Sequence, residues 1–446
     1  MKTFKLFFKI HNRNIDFKNE IDYFIAFLKS SYQVEIVNQE DYADCVIYYG
    51  FDSVDEPGLY INDNLLKRIL YIKNDAVYFR DKKTLVKELR SSLSLINFDK
   101  SSNSSVVIND DLVAMSFCIL SRIEETNINN IDDYGRHKIE EDSVYQSGHY
   151  GKAVVDYFLE VIILNMTMDR VIPIRSNYSI IATHDVDRLK SYHFFWKSMR
   201  IVIGDIVKRK DFKRFFLRVY EELFPFEPWG SIYRLNKIYK KKKIKVIFMI
   251  MGKSEHPSDS EYYLGEIKLL TRFIIYLKKN KYEIGVHPGV LTYNNTEYYK
   301  TQLDSVEKIC KCRITSARQH VLKFDISKTP MIAEENGIRY DYTLSYPEEP
   351  GFRNGTTRGM NAYDFSKRKM LRIKLISTPI MDLTFHEDKY AQLQGSEFEY
   401  AKGIIDECYK YRGKVVFLYH SGFIIHRWHK IYSKFLEYAL NKEGHG

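Results

Sequence analysis

The sequence predicts an α/β protein in which a C-terminal deformed (β/α) barrel of about seven parallel strands follows a smaller α/β domain and a helical connector. Three observations predict it. Short apolar, β-branched runs alternate with helical or irregular stretches along the whole chain of 446 residues. In the C-terminal part the runs mostly recur at intervals of about thirty to forty residues, the length of a βα unit. The residues able to do chemistry stand at the C-terminal ends of those runs, where the strands of a parallel barrel converge on one mouth.

Taken in order, residues 1–172 form the first part. Strand-like runs fall at Phe4–Ile10, Gln33–Val37, Cys45–Tyr49, Leu59–Asn62 and Ala76–Phe79. Helical periodicity covers Thr84–Leu95, Asp110–Glu125 and Gly151–Met166, with Ser101–Ser105 a polar loop before the connector. Residues 173–446 form the second part. Its runs are Tyr178–Thr183, Lys245–Met251, Glu283–His287, Arg313–Ser316, Ile338–Tyr342, Lys374–Ile380 and Val415–His420. No internal repeat accompanies them.

Composition bounds the functional class. A hydrophobic share of 45% suits a soluble protein with a sizeable core. The 35 tyrosines and 28 phenylalanines suit surfaces on which sugar rings stack, although an AT-rich genome would raise the same residues. Net charge is +10, with basic stretches at Lys240–Lys243 and from Lys208 to Arg218. These read as solvated helix faces, and no nucleic-acid motif joins them, so no nucleic-acid partner is expected. The five cysteines are odd in number and show no disulfide spacing, which suits free thiols in a reducing compartment. Lysines interrupt the apolar N-terminal run, so it reads as a first strand rather than a signal peptide. No run is long enough to span a bilayer, and the cytoplasm is the expected location.

Asp185 and Asp187 lie just past the first run of the second part. His287 ends the third, Arg318 and His320 follow the fourth, Asp341 lies in the fifth, Asp382 follows the sixth and His420 ends the seventh. Asp and His together point to a divalent metal with oxygen and nitrogen ligands. Amide hydrolysis needs an activated water, neutralisation of an oxyanion and a proton for the leaving nitrogen. A metal serves the first two, and a carboxylate base with a histidine acid serves proton transfer.

The segment Ile181-Ala182-Thr183-His184-Asp185-Val186-Asp187 resembles the first motif of polysaccharide deacetylases of the NodB homology type, usually Thr-aromatic-Asp-Asp. The resemblance implies that Asp185 is the catalytic base. Val186 holds the place of the family's second Asp, a metal ligand, so the ligand role passes to Asp187. Glu283-Ile284-Gly285-Val286-His287-Pro288 resembles the second motif and makes His287 a ligand, but the family's second histidine is Leu291 here. Arg318-Gln319-His320 resembles the third motif, with His320 in place of a proline. His320 either supplies the third ligand or is a satisfied polar group at a strand end. Leu418-Tyr419-His420 resembles the last motif, whose histidine is the general acid, with Asp341 or Asp382 to orient it. The wider pattern, including Leu120–Glu125, Asp133–Arg136, Gly337–Asp341, Gly351–Thr356 and Thr378–Asp382, is similar to a bacterial subgroup with an additional N-terminal α/β domain.

The resemblance implies a metal-dependent hydrolase, zinc (Zn2+) being the expected ion, that removes N-acetyl groups from a sugar in a glycan or in a lipid- or nucleotide-linked precursor. The expected catalytic residues are Asp185, Arg318 and His420, with Asp187, His287 and His320 on the metal. Arg353 either clamps an anionic substrate group or holds nearby carbonyls. Tyr346, Phe352 and Trp229 either form a sugar platform or pack in the core. His426, Trp428 and His429 read as structural residues of a helix. The basic stretch Ser198–Arg218 could rest on a membrane surface. Because Val186 and Leu291 replace two expected ligands, an inactive glycan-binding or scaffolding module stays open, as does hydrolysis of another non-peptide amide.

Overall fold

The structure of the chain, a computed structural model, describes residues 3–443 apart from 53–55, 95–97, 101–104, 128–129, 168–171, most of 188–243, 255, 260–266, 386–395 and 421–426. Trp229, His426 and nearly all of Ser198–Arg218 lie outside the described residues.

The first part is built on strands β1 (Phe4–Ile10), β2 (Val34–Ile36), β3 (Cys45–Tyr49), β4 (Leu59–Ile61), β5 (Leu70–Lys73), β6 (Ala76–Phe79), β7 (Phe98–Lys100) and β8 (Val106–Ile108). Six of them form one sheet in the order β2-β1-β3-β4-β8-β7, parallel except for the β7–β8 pair. The run Ala76–Phe79 stays out of that sheet. It pairs antiparallel with β5 across Asn74 and Asp75, both at positive φ, the geometry of a tight hairpin turn. Helix Lys18–Ser31 packs on the sheet through Ile21, Phe24, Phe27 and Leu28, spaced along one helical face. Helix Leu112–Ser121 is buried on every side, which its apolar sequence Leu-Val-Ala-Met-Ser-Phe-Cys-Ile-Leu allows. Asp111 caps its N-terminus by accepting from the Ala114 N–H.

The second part holds β9 (Ser179–Val186), β10 (Lys245–Met251), β11 (Glu283–His287), β12 (Ser316–Ala317), β13 (Tyr340–Asp341), β14 (Met360–Asp364), β15 (Lys369–Leu375), β16 (Ile380–Met381) and β17 (Lys414–His420). They form one sheet of nine strands in the order β14-β15-β13-β12-β11-β10-β9-β17-β16. Only the β14–β15 pair is antiparallel.

Two expectations change. The run Lys374–Ile380 is not one strand. It divides into β15 and β16, which lie near opposite ends of the sheet, and β14 is added as an antiparallel edge. The sheet also does not close through hydrogen bonds among the described residues. The chain leaves β15 through Ile376–Pro379, where Ile376 and Thr378 donate to Asp341 and Leu344, and only then enters β16. The parallel strands nevertheless share an apolar cluster of their own. Ile181, Ile247, Met249 and Val416 meet Tyr342 and Ile376 in an inner cluster. Gly285 makes room there, because a β-carbon would strike the Met249 sulfur and the Ser316 carbonyl.

The outer core is continuous through both parts of the chain, from Leu6 and Phe24 to Phe417 and Leu440. Residues 1–172 and 173–446 thus carry separate sheets but share apolar packing. No described helix is long and apolar enough to cross a membrane.

Candidate active site

Strand parity sets the first motif. In β9 the side chains of Ile181, Thr183 and Asp185 face the inner side, while Ile180, Ala182 and Val186 join the outer core. Val186 is fully buried there. A carboxylate at position 186 would face away from the mouth, whereas Asp187, one residue past the strand, returns to the inner side. His184 also faces outward. It stacks on Phe248 with ring centroids 4.6 Å apart and shares a hydrogen bond with the Tyr239 hydroxyl. Burial pushes its imidazole down to about 3, so it is a neutral core residue.

Asp187, His287 and His320 come together, their ligand atoms all within 4.8 Å of one another. His287 ends β11 and is held by a 2.6 Å hydrogen bond between Nδ1 and the Arg318 carbonyl. Because a carbonyl can only accept, Nδ1 carries a proton and Nε2 is the atom turned to the carboxylates; burial lowers the imidazole, but Asp185 and Asp187 outweigh it and raise it above its ordinary value. That Nε2 lies 3.3 Å from Asp187 Oδ1 and 3.7 Å from Asp185 Oδ2. His320 Nδ1 lies 2.8 Å from Asp259 Oδ1, which likewise directs Nε2 toward the cluster. Burial opposes ionisation of Asp187, but the His287 ring 3.3 Å away, with His420 and His320 nearby, holds its carboxyl well below the usual range.

Asp185 stands between this cluster and His420. Arg318 Nη1 donates to its Oδ1 at 2.8 Å, while Nε and Nη2 of the same guanidinium reach the Tyr342 carbonyl, Thr183 and Thr378. Arg318 is therefore a fully buried clamp joining β9 to the segments after β12, β13 and β15. Burial raises the Asp185 carboxyl, but Arg318, His287 and His420 outweigh it and keep the group ionised. His420 is paired with Asp185 across β17 and β9, its Nε2 3.9 Å from Asp185 Oδ2. Asp382 grips it twice, through Nδ1 at 2.7 Å and through the His420 N–H at 2.7 Å. Burial disfavours the imidazolium, yet Asp382 and the other carboxylates raise it to about 10, so His420 carries a proton at neutral pH.

Asp382 is thus the orienting carboxylate. Asp341 instead accepts from the Thr343 N–H, and burial raises its carboxyl to about 6. Leu291 is 42% exposed beyond the end of β11. Arg353 is buried and donates through Nε and Nη2 to Glu125 and through Nη1 to the Ser345 carbonyl. Of the two readings of Arg353, anion clamp or holder of nearby carbonyls, the second describes its contacts here: the Ser345 carbonyl, joined by the Glu125 carboxylate. Tyr346 is buried with its hydroxyl on Asp142, and Phe352 is fully buried, so both serve packing rather than a sugar platform. Trp428 and His429 fall in the helix Arg427–Glu443.

One carboxylate escaped the sequence reading. Asp259 follows the second run, Lys245–Met251, the only run of the second part to which no polar residue was assigned. Asking what should stand at that vacant strand end would have led to the loop after it.

A family of unknown function, DUF7033, matches residues 9–169. No curated protein matches the chain in sequence. Among solved structures it is similar to a presumed polysaccharide deacetylase from Mycobacterium smegmatis, at 14% identity and a TM-score of 0.37, covering 60% of this chain and 85% of that one. A presumed polysaccharide deacetylase involved in O-antigen biosynthesis from Bordetella bronchiseptica gives 13%, 0.30, 60% and 91% for the same quantities. A mutant of a CE4 family pseudoenzyme with restored enzymatic activity gives 11%, 0.29, 60% and 64%. These scores are too low for the likeness to fix the fold, which rests on the strand order above.

Proposed function

We propose that the chain is a metal-dependent hydrolase that removes N-acetyl groups from a sugar in a glycan or glycan precursor. The observation that carries the reading is the meeting of Asp187, His287 and His320 beside a clamped carboxylate and a carboxylate-held histidine. Charge supports a divalent ion. Asp185 and Asp187 both turn carboxylate oxygens toward His287 Nε2, a concentration of negative charge that a cation would match. The buried Asp187 Oδ1 also has no hydrogen-bond partner among the described residues. Two histidine nitrogens and a carboxylate oxygen suit zinc.

When bound by these three residues, the ion supplies Lewis acidity that makes water more acidic and offsets charge developing on the amide oxygen. The chain's own residues supply the proton chemistry. Asp185, ionised and held by Arg318, takes a proton from the attacking water. His420, protonated and aimed by Asp382, gives a proton to the departing amine nitrogen. Holding both groups in fixed positions removes the cost of ordering them during the reaction.

The test combines metal analysis with acetate release from N-acetylated sugars and from other amides. The parent chain should hold about one zinc per molecule. Asp187→Ala should lose it, while Asp185→Asn should keep it and release acetate at least about 100-fold more slowly. A parent chain without stoichiometric metal would instead favour the non-catalytic glycan-binding reading that Val186 and Leu291 motivate.

A further inference from the structure

Three histidines of the site each have Nδ1 engaged, and the acceptors differ in kind. His287 uses the neutral carbonyl of Arg318, His420 uses Asp382, and His320 uses Asp259. The Asp382 pair has an assigned task in proton transfer. The Asp259 pair has none, although burying a carboxylate is costly unless it is well matched.

Asp259 is built in with care. Its side chain has no exposed area, while the His320 ring is 12% exposed. Oδ1 accepts from His320 and from the Val290 N–H at 3.2 Å, and Oδ2 accepts from the Ser254 hydroxyl at 2.5 Å. Both oxygens are engaged, so the group acts through His320 and does not itself coordinate. Gly289 lies directly against it, and a β-carbon there would collide with the carboxylate. The surrounding loops are braced by the helix Thr296–Cys310. Its Gln302 accepts from the Gly289 N–H at 2.7 Å, and its Ser305 accepts from the Lys253 N–H at 2.9 Å. The His320 N–H in turn donates to the Pro288 carbonyl at 2.9 Å.

The turn that carries His320 needs such bracing. Val321 and Leu322 follow at φ values of 51° and 57°, a left-handed conformation disfavoured for side chains other than glycine. A lone histidine on this turn would be poorly fixed. A buried carboxylate on Nδ1 sets the ring's tautomer and direction and raises the donor strength of Nε2.

We infer that Asp259 is the positioning residue of the metal centre, the carboxylate that makes His320 a competent third ligand where Leu291 offers none. This rests on the metal reading above. A carboxylate pulling on Nδ1 of a ligand histidine differs from a carbonyl doing so, and His320 is accordingly the stronger donor of the two ligand imidazoles.

The experiment is zinc affinity of the full chain, measured by competition with a chelator, together with the absorption spectrum of the cobalt-substituted protein. Asp259→Asn keeps the shape and removes the charge. It should weaken zinc binding about 10- to 100-fold and shift the cobalt bands, while the melting temperature of the metal-free protein stays within about 2 °C of the parent's. Ser254→Ala, which strips one hydrogen bond from Asp259, should give a smaller loss in the same direction and serves if Asp259→Asn does not fold. Unchanged zinc affinity in the variant that folds would overturn the inference while leaving the metal site standing. Absence of zinc binding by the parent chain would overturn both.

Discussion

Asp185 and Asp187 are two residues apart and stand in different surroundings. Asp185 meets the Arg318 guanidinium, Asp187 the His287 imidazole. The same logic separates the histidines, since His184 is a neutral core ring and His420 a held imidazolium. A pH prediction follows for the acid. If His420 is the proposed acid it acts protonated, so activity should fall as pH rises through its raised pKa. Removing the Asp382 charge lowers that pKa, and Asp382→Asn should move the basic limb of the kcat profile to lower pH, measured with one N-acetylated sugar from pH 6 to about 10.5. A limb that stays in place would assign the ionisation to another group. The residue types and order of the motifs were legible in the sequence. The fate of Arg353 was not, because its partner Glu125 lies 228 positions away in the chain.

At the scale of elements, β9 shows how one strand serves site and core together. Its outer face carries His184 between Phe248 and Tyr239, and its inner face carries the clamped Thr183 and Asp185. His184 has a folded pKa of about 3, below the ordinary value of about 6.5 in the unfolded chain. Its contribution is therefore fully present above the unfolded value and is lost as pH falls toward the folded one. Stability should decline by an increment on the order of 1 kcal/mol per pH unit from about 6.5 downward, and His184→Phe should flatten that slope in denaturant titrations. An unchanged slope would show that the carboxylates alone set the acid limb. Strand boundaries were legible where a run was long, as in β10 and β17. They were not where pairing comes down to two residues, as in β12, β13 and β16, because such pieces are defined by their neighbours rather than by their own propensity.

At the scale of the molecule, charged pairs stitch the first part of the chain to the second. Glu125 holds Arg353 and also faces Arg122, and Asp156 meets Arg358. Glu20 likewise meets Arg368. All bridge elements already joined by a continuous apolar core. Removing one side of a buried pair leaves a charge without compensation. Glu125→Ala should therefore destabilise the protein by about 3–5 kcal/mol and keep a single unfolding transition observed at both sheets. Two separate transitions in the parent protein would show instead that the parts unfold independently.

What the sequence alone determined is what local physics encodes. Alternating apolar runs specify strands, their spacing specifies parallel crossings, and acidic and histidine residues at strand ends specify one mouth. What only the tertiary structure decided depends on contacts between distant segments. It gave His420 Asp382 rather than Asp341, gave His320 a carboxylate from another loop, turned Val186 outward and Asp187 inward, and sent Arg353 to Glu125. Hydrogen-bond partnership is a property of position in space, and the chain brings these positions together only when both sheets and their shared core are formed.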